Sequence, residues 1–395
     1  MVAAPRHFGS RISLFYAGFF VVGGLMTPFF PVWLHLRGLT PEQIGVCLAL
    51  PLAARLLFMP LGSAFADRAP NRRFAVIIFA VLGLLFFIPA TMMGGYWPIL
   101  VLTGLATATL GLAMPAIDAL ALTGVRRFGL DYGNMRVWGS ISFIVVSLLG
   151  GVVFGHFGAA VLSPLLIGSY VVAALSAFLL PVTPPEIRAA DDAAKPETVS
   201  ARSILTSRSV LVVIGSSAII TATHAVFYSF GTIQWEKLGF SGAEIGLLWS
   251  SGVVAEIGMF AISGRALQKM APERLIMLGA IAAIVRWSLF PLATGLWFSL
   301  ALQMLHALTF AAVYAGMQRA IARDVPEEMT ASAQGIWQTT SGLGLALATL
   351  LAGPLYGHFG AAAFPVMAIG GVIAAIVLTL PKARRISPTK PGTVG

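Results

Sequence analysis

Apolar runs of membrane-crossing length recur along the whole chain. They lie near residues 12–34, 44–66, 74–94, 98–121, 132–156, 161–181, 210–233, 243–263, 275–295, 297–319, 332–356 and 361–381. A membrane helix needs about 20 mostly apolar residues, so the pattern predicts twelve transmembrane helices and an all-α integral membrane fold. Two connections are tight: spans 3 and 4 part at Gly94-Gly95-Tyr96-Trp97-Pro98, and spans 9 and 10 near Thr294-Gly295-Leu296. The one long polar stretch runs from Thr183-Pro184-Pro185-Glu186 through Asp191-Asp192-Ala193-Ala194-Lys195-Pro196-Glu197 to about Arg208. Its Pro, Ala and charge content predicts a cytoplasmic linker.

The linker divides the chain into residues 1–181 and 210–381, with the linker itself at 182–209 and a cytoplasmic tail at 382–395. The two halves are internally similar. Gly38-Leu39-Thr40-Pro41-Glu42-Gln43-Ile44-Gly45 resembles Gly239-Phe240-Ser241-Gly242-Ala243-Glu244-Ile245-Gly246, and Gly155-His156-Phe157-Gly158-Ala159-Ala160 recurs identically as Gly357-His358-Phe359-Gly360-Ala361-Ala362. Each match falls at the same place in its half. Parallel six-span halves related by an axis along the membrane normal are a transporter arrangement, with the substrate site near the midplane between them. A gated pore is the alternative reading of the same repeat.

Composition excludes a water-soluble domain: 58% of residues are hydrophobic, 10% are charged, and the mean hydropathy is +0.89. The net charge of +10 would suit a nucleic-acid binder, but its distribution does not. Of the 25 basic residues, only Arg37 and Lys237 fall in outward loops, while Arg55, Arg136 and Arg286 lie within spans. The others sit in segments that are cytoplasmic if the N-terminus is inside, which is the positive-inside pattern and places both termini in the cytoplasm. Arg6, His7 and Arg11 lead straight into a full-length span, with no cleavable signal pattern. The single cysteine, Cys47, excludes an intramolecular disulfide and a thiolate metal cluster.

Asp118, Arg136, Glu256, Arg286 and His306 stand inside apolar runs. A charge near the bilayer centre costs roughly 2.5–3.5 kcal/mol even on the lenient insertion scale. Several such residues in one chain must face each other or a wet cavity, which points to a polar pathway. Asp118 and Arg136, on neighbouring spans 4 and 5, are expected to form an ion pair from which Arg136 could take over a substrate carboxylate. Glu256, mid-span among Val253, Val254 and Ile257, is a candidate proton-exchanging carboxylate. Arg55 stands 201 positions before it, at the repeat-related place, and is a candidate charge contact between the halves. Arg286 and His306 lie on adjacent spans 9 and 10, and His224 and Tyr228, one turn apart on span 7, are candidate cavity lining. Gln234, Trp235 and Trp249 lie near the outer face, where tryptophan commonly anchors at the interface. No phosphate-cradling loop, metal-ligand cluster or nucleophile with a positioned base occurs, so no cofactor, no metal and no enzymatic activity are expected.

Ser63-Ala64-Phe65-Ala66-Asp67-Arg68-Ala69-Pro70-Asn71-Arg72-Arg73 resembles the Gly-x-x-x-Asp-Arg-x-Gly-Arg-Arg loop of the major facilitator superfamily. Serine replaces the first glycine, and one residue is inserted before the arginine pair. A narrower resemblance, to the 3-phenylpropionate permease group, is carried by Pro28-Phe29-Phe30-Pro31-Val32-Trp33-Leu34, Asp131-Tyr132-Gly133-Asn134-Met135-Arg136-Val137-Trp138-Gly139-Ser140 and Gly252-Val253-Val254-Ala255-Glu256. Val285-Arg286-Trp287 and Leu305-His306-Ala307-Leu308-Thr309-Phe310 add to it. That group belongs with the lactose and nucleoside proton symporters. The resemblance implies two pseudo-symmetric six-helix bundles and a gating role for Asp67, Arg68, Arg72 and Arg73. It implies substrate contacts from Asp118 and Arg136, and coupling roles for Arg286 and His306. Thr309 stands where the lactose permease has its proton-carrying glutamate, which leaves the proton carrier open.

The expected function is proton-coupled uptake of a small aromatic carboxylate by a bacterial inner-membrane transporter, acting as a monomer on a small molecule and protons within the lipid bilayer. Symport of a sugar or nucleoside, efflux of hydrophobic compounds and a non-transporting membrane sensor are the alternatives.

Overall fold

The computed structural model describes residues 5–182, 207–263 and 269–380, with residues 262, 263, 328 and 331 described by backbone alone. Most of the expected linker, the tail, and basic residues such as Arg188 and Arg265 lie outside the described residues. Among the described residues there is no strand.

In the first half the crossing helices are α1 (Phe8–Leu36), α2 (Pro41–Arg68), α3 (Arg72–Met92), α4 (Tyr96–Phe128), α5 (Tyr132–Phe157) and α6 (Leu162–Phe178). In the second half they are α7 (Arg208–Lys237), α8 (Gly242–Ser263), α9 (Pro272–Leu289), α10 (Leu296–Asp324), α11 (Thr330–Phe359) and α12 (Ala363–Thr379). All twelve apolar runs of the sequence fall on these helices. The α5–α6 and α11–α12 connections are so short that each pair is nearly continuous. Gly158 at φ +68° and Gly360 at φ +54° turn the chain there, a backbone region that side chains other than glycine rarely enter.

The repeated loop sequences build repeated caps. Thr40 and Gln43 close a reciprocal capping box at the start of α2, and Ser241 and Glu244 do the same for α8. Asn71 and Asp131 cap α3 and α5 by accepting from the backbone N–H three residues on.

Across the two halves, α2 packs along α11 and α5 along α8. Close approach at one end depends on glycine. A Cβ on Gly45 would lie 3.1 Å from the Gly353 backbone, and one on Gly353 would lie 2.6 Å from the Pro41 carbonyl oxygen. Gly151 and Gly242 touch backbone to backbone at the related place. This end carries the α1–α2 and α7–α8 loops. At the opposite end, which carries both termini, the segments Ala113–Phe128 of α4 and Val313–Asp324 of α10 pack mainly on neighbours of their own half. The glycine contacts join the halves at the loop end, whereas these two segments at the terminal end make their contacts chiefly within their own half.

Candidate functional site

Three helices lose regular α geometry near their middles: α4 at Leu112, α7 at Thr223–His224, and α10, where Ala307–Ala312 forms a π turn just after His306. Such breaks, tightened in α4 and α7 and widened in α10, expose backbone and re-aim side chains, and widened turns in particular concentrate at functional sites. Between the halves lies a cavity of about 520 Å³. Its N-terminal wall includes Phe20, Phe30, Phe143 and Arg136, and its C-terminal wall includes Tyr228, Trp249, Glu256, Arg286 and His306.

Arg136 reaches the cavity from the first turns of α5. Its guanidinium lies 4.1 Å above the Phe20 ring and 5.4 Å from the centre of Tyr16. It forms no hydrogen bond or ion pair with any described residue. The direct Asp118–Arg136 pair expected from the sequence is therefore not made. Asp118 does not line the cavity. One of its carboxylate oxygens instead accepts from Tyr16 Oη at 2.6 Å and Tyr132 Oη at 3.1 Å. Tyr16 separates the two charges, offering its ring to Arg136 and its hydroxyl to Asp118.

The expected contact between Arg55 and Glu256 is also absent. Arg55 is exposed on α2 and interacts electrostatically with Asp118, inside its own half. The repeat places Arg55 and Glu256 on equivalent helices, but α2 packs on α11 and α8 packs on α5, so the two helices do not face each other.

The C-terminal wall is a connected polar group. Glu256 Oε2 lies 3.7 Å from His306 Nε2, and His306 Nδ1 lies 3.3 Å from Arg286 Nη1. Arg286 is fully buried. It donates to Thr309 Oγ1 at 3.3 Å and to Gln303 Oε1 at 2.7 Å, and stacks against Trp287 and Phe227 at 4.5 and 5.0 Å. His224 lies behind the wall rather than on it, with Nε2 3.0 Å from Thr309 Oγ1, while its neighbour Tyr228 does line the cavity. Glu256 and Arg136 interact electrostatically across the cavity.

Trp235 and Trp249 are not interfacial anchors. Both are buried against Phe227, and Trp249 donates to Thr232 Oγ1 at 2.8 Å. Gln234 accepts from Tyr356 Oη. Where α2 gives way to α3, Asp67 and Arg68 are exposed in the last turn of α2, while in the first turn of α3 Arg72 donates to Thr123 and Arg73 to the Phe178 carbonyl. Cys47 is buried at the edge of the cavity.

Sequence reasoning missed Tyr16, Tyr132 and Gln303 as partners of the charged residues. Gln303 carried a signal, as an amide inside an apolar run, and Tyr132 lies within a motif already singled out. Tyr16 carried none, because a tyrosine in a span reads equally well as an interior aromatic.

The MFS_1-like family matches residues 10–366 of the chain. The "Probable 3-phenylpropionic acid transporter" of Escherichia coli (strain K12) is 31% identical over 91% of this chain and 94% of its own length. The maltose permease of Geobacillus stearothermophilus is 25% identical over 92% of this chain and 93% of its own. Among solved structures, the nucleoside transporter NupG superposes with a TM-score of 0.80 at 16% identity, covering 94% of this chain and 98% of that one, which establishes a shared fold. The chain belongs to the MFS_1-like family and is a multi-pass membrane transporter of the major facilitator fold, not an enzyme.

Proposed function

We propose that this transporter takes up a small aromatic carboxylate in symport with protons. The observation that carries the reading is Arg136, a guanidinium in a cavity walled by aromatic rings, with none of its five N–H donors engaged by a described residue. That fork fits a carboxylate in two-pronged fashion. Two guanidinium groups and one carboxylate line the cavity, so an anion improves the charge balance on entering. Phe30, Tyr228 and Trp249 line the cavity with aromatic surface suited to an aromatic body. The name of the 31% identical relative is in keeping with that class.

In this reading Tyr228 lines the substrate site, Asp118 and His224 support it from behind, and Glu256 exchanges the proton beside Arg286 and His306. The bundles 1–181 and 210–381 rock about the cavity, joined by the 182–209 linker. With both termini in the cytoplasm of a cell whose inner membrane holds the protein, the glycine-lined end, where the halves approach closely, faces outward. Asp67 and Arg68 engage the opposite half when the inner end closes.

Uptake into proteoliposomes with an imposed pH gradient, acid outside, tests the proposal against a panel of radiolabelled 3-phenylpropionate, maltose and a nucleoside. Saturable uptake of the aromatic acid that collapses with the gradient is expected. Transport of only the sugar or nucleoside overturns the substrate class. Uptake of the aromatic acid that ignores the gradient overturns proton symport.

A further inference from the structure

Five side chains form one string through the C-terminal half: Glu256 on α8, His306 and Thr309 on α10, Arg286 on α9 and His224 on α7. The direction of each hydrogen bond in the string follows from one member. A guanidinium has N–H groups and no acceptor, so whatever meets Arg286 must accept. His306 Nδ1, 3.3 Å from Arg286 Nη1, therefore carries no hydrogen. The one N–H of the neutral ring is then on Nε2, the nitrogen that lies 3.7 Å from Glu256 Oε2, beyond hydrogen-bond length in this conformation.

The far end agrees. His224 Nδ1 lies 3.2 Å from the Ile220 carbonyl and 3.3 Å from that of Thr221, which only accept, so Nδ1 carries the hydrogen there. His224 Nε2 then accepts from the Thr309 hydroxyl at 3.0 Å, while the same oxygen accepts from Arg286. Arg286 donates through its two terminal nitrogens while its Nε has no hydrogen-bond partner, and these contacts hold each ring as a single tautomer.

His306 could gain a second proton only at Nδ1, facing a group that can only donate. Arg286 cannot readily withdraw, because it is fully buried and tied to Gln303 Oε1 at 2.7 Å. The titratable and charged groups around the His306 ring are Glu256, Arg286, His224 and Tyr228, with Arg136 across the cavity. Of these, Glu256 is the group able to take a proton without breaking a hydrogen bond of the string: it lines the cavity, and its one contact in the string is the 3.7 Å approach of His306 Nε2.

We propose that Arg286 holds His306 as a neutral, Nε2-protonated donor throughout transport, so that His306 positions Glu256 and does not itself carry the proton. In the proton step a hydronium ion in the cavity loses a proton to Glu256, leaving water and forming one O–H bond. On the other side that O–H bond breaks and the proton passes to water, with the His306 N–H bond intact in both. His306 is a positioning residue. The part of this proposal that concerns the proton rests on the proton-symport reading; the tautomer does not.

Two experiments separate these. Solid-state ¹⁵N spectra of histidine-labelled protein in bilayers, with the His306 signals assigned by their loss in His306→Gln, should show bare Nδ1 and protonated Nε2 from about pH 5 to pH 8, the range over which a free imidazole changes charge. A His306 ring that becomes doubly protonated in that range overturns the proposal, whatever the transport assays show. In uptake, His306→Asn places its amide near Nδ1 and leaves Glu256 without a donor, so accumulation under a pH gradient should fall by about tenfold or more. His306→Gln places its amide nitrogen near Nε2 and should restore most of that loss. If both variants keep substrate exchange but neither accumulates substrate, the histidine carries the proton and the proposal is wrong. Where a variant fails to fold, the wild-type spectrum decides. Wild-type uptake that ignores the pH gradient instead removes the proton-symport reading and leaves the tautomer to the spectrum.

Discussion

Arg136 and Arg286 are the same residue type on opposite walls of one cavity, and their surroundings differ in almost every respect. Arg286 has no exposed surface and donates to His306, Thr309 and Gln303. Arg136 is half-buried, lies on the face of Phe20, and makes no hydrogen bond. A buried charge is tolerated only where hydrogen bonds replace its lost hydration. Arg286 meets that condition inside the protein through its two terminal nitrogens, with Nε alone lacking a partner, so its role is to organise the residues around it. Arg136 keeps its hydration from the cavity, so its donors are available to an incoming anion. Burial alone would have ranked the two the other way.

The largest effect is expected from Arg286→Lys. An ammonium keeps the cost of the buried charge but cannot reach three partners spread around a planar fork. Each buried acceptor left without a donor costs about 1–3 kcal/mol. The purified variant should melt several degrees lower and lose uptake, as followed by thermal unfolding in detergent and by proteoliposome assay. A melting curve that matches wild type would mean that Arg286 does not organise its wall.

Arg136→Lys should do the reverse, leaving unfolding unchanged while uptake of an aromatic acid falls by at least about tenfold, or about 1.4 kcal/mol. Because Asp118 is satisfied by Tyr16 and Tyr132, neutralising both members as Asp118→Asn with Arg136→Gln should not restore uptake. Recovery in the double variant would show that the two charges act as a pair after all.

Glu256→Gln fixes a neutral group beside His306. Accumulation against a gradient should fail, while exchange between internal and external substrate persists. Imposing a voltage at constant pH refines this result. Each net charge moved gains about 2.3 kcal/mol per 100 mV, so an anion crossing with one proton should not respond to voltage, and one crossing with two should.

Tyr16→Phe should have the smallest effect. It removes one of two hydroxyls from Asp118 but keeps the ring beside Arg136, so about 1 kcal/mol of stability is lost and uptake changes by less than about twofold. A much larger loss of uptake would mean that the link from Arg136 through Tyr16 to Asp118 belongs to the transport cycle itself.

The sequence by itself determined the number of membrane crossings, the internal repeat and the set of charged residues within the spans. These are properties of order along a line. Hydrophobic length is measured against a bilayer of fixed thickness, and a repeat is visible wherever the same letters return, as at Gly155-His156-Phe157 and Gly357-His358-Phe359. Only the tertiary structure decided which partner each charge took. Asp118 went to tyrosines 102 and 14 positions away, and Glu256 to a histidine on another helix instead of its repeat-related arginine. Partner choice depends on how each helix is rotated about its axis and on which atoms can donate or accept. Neither is set by hydrophobic length: a helix that is apolar on nearly every face carries no stripe to say which side turns inward.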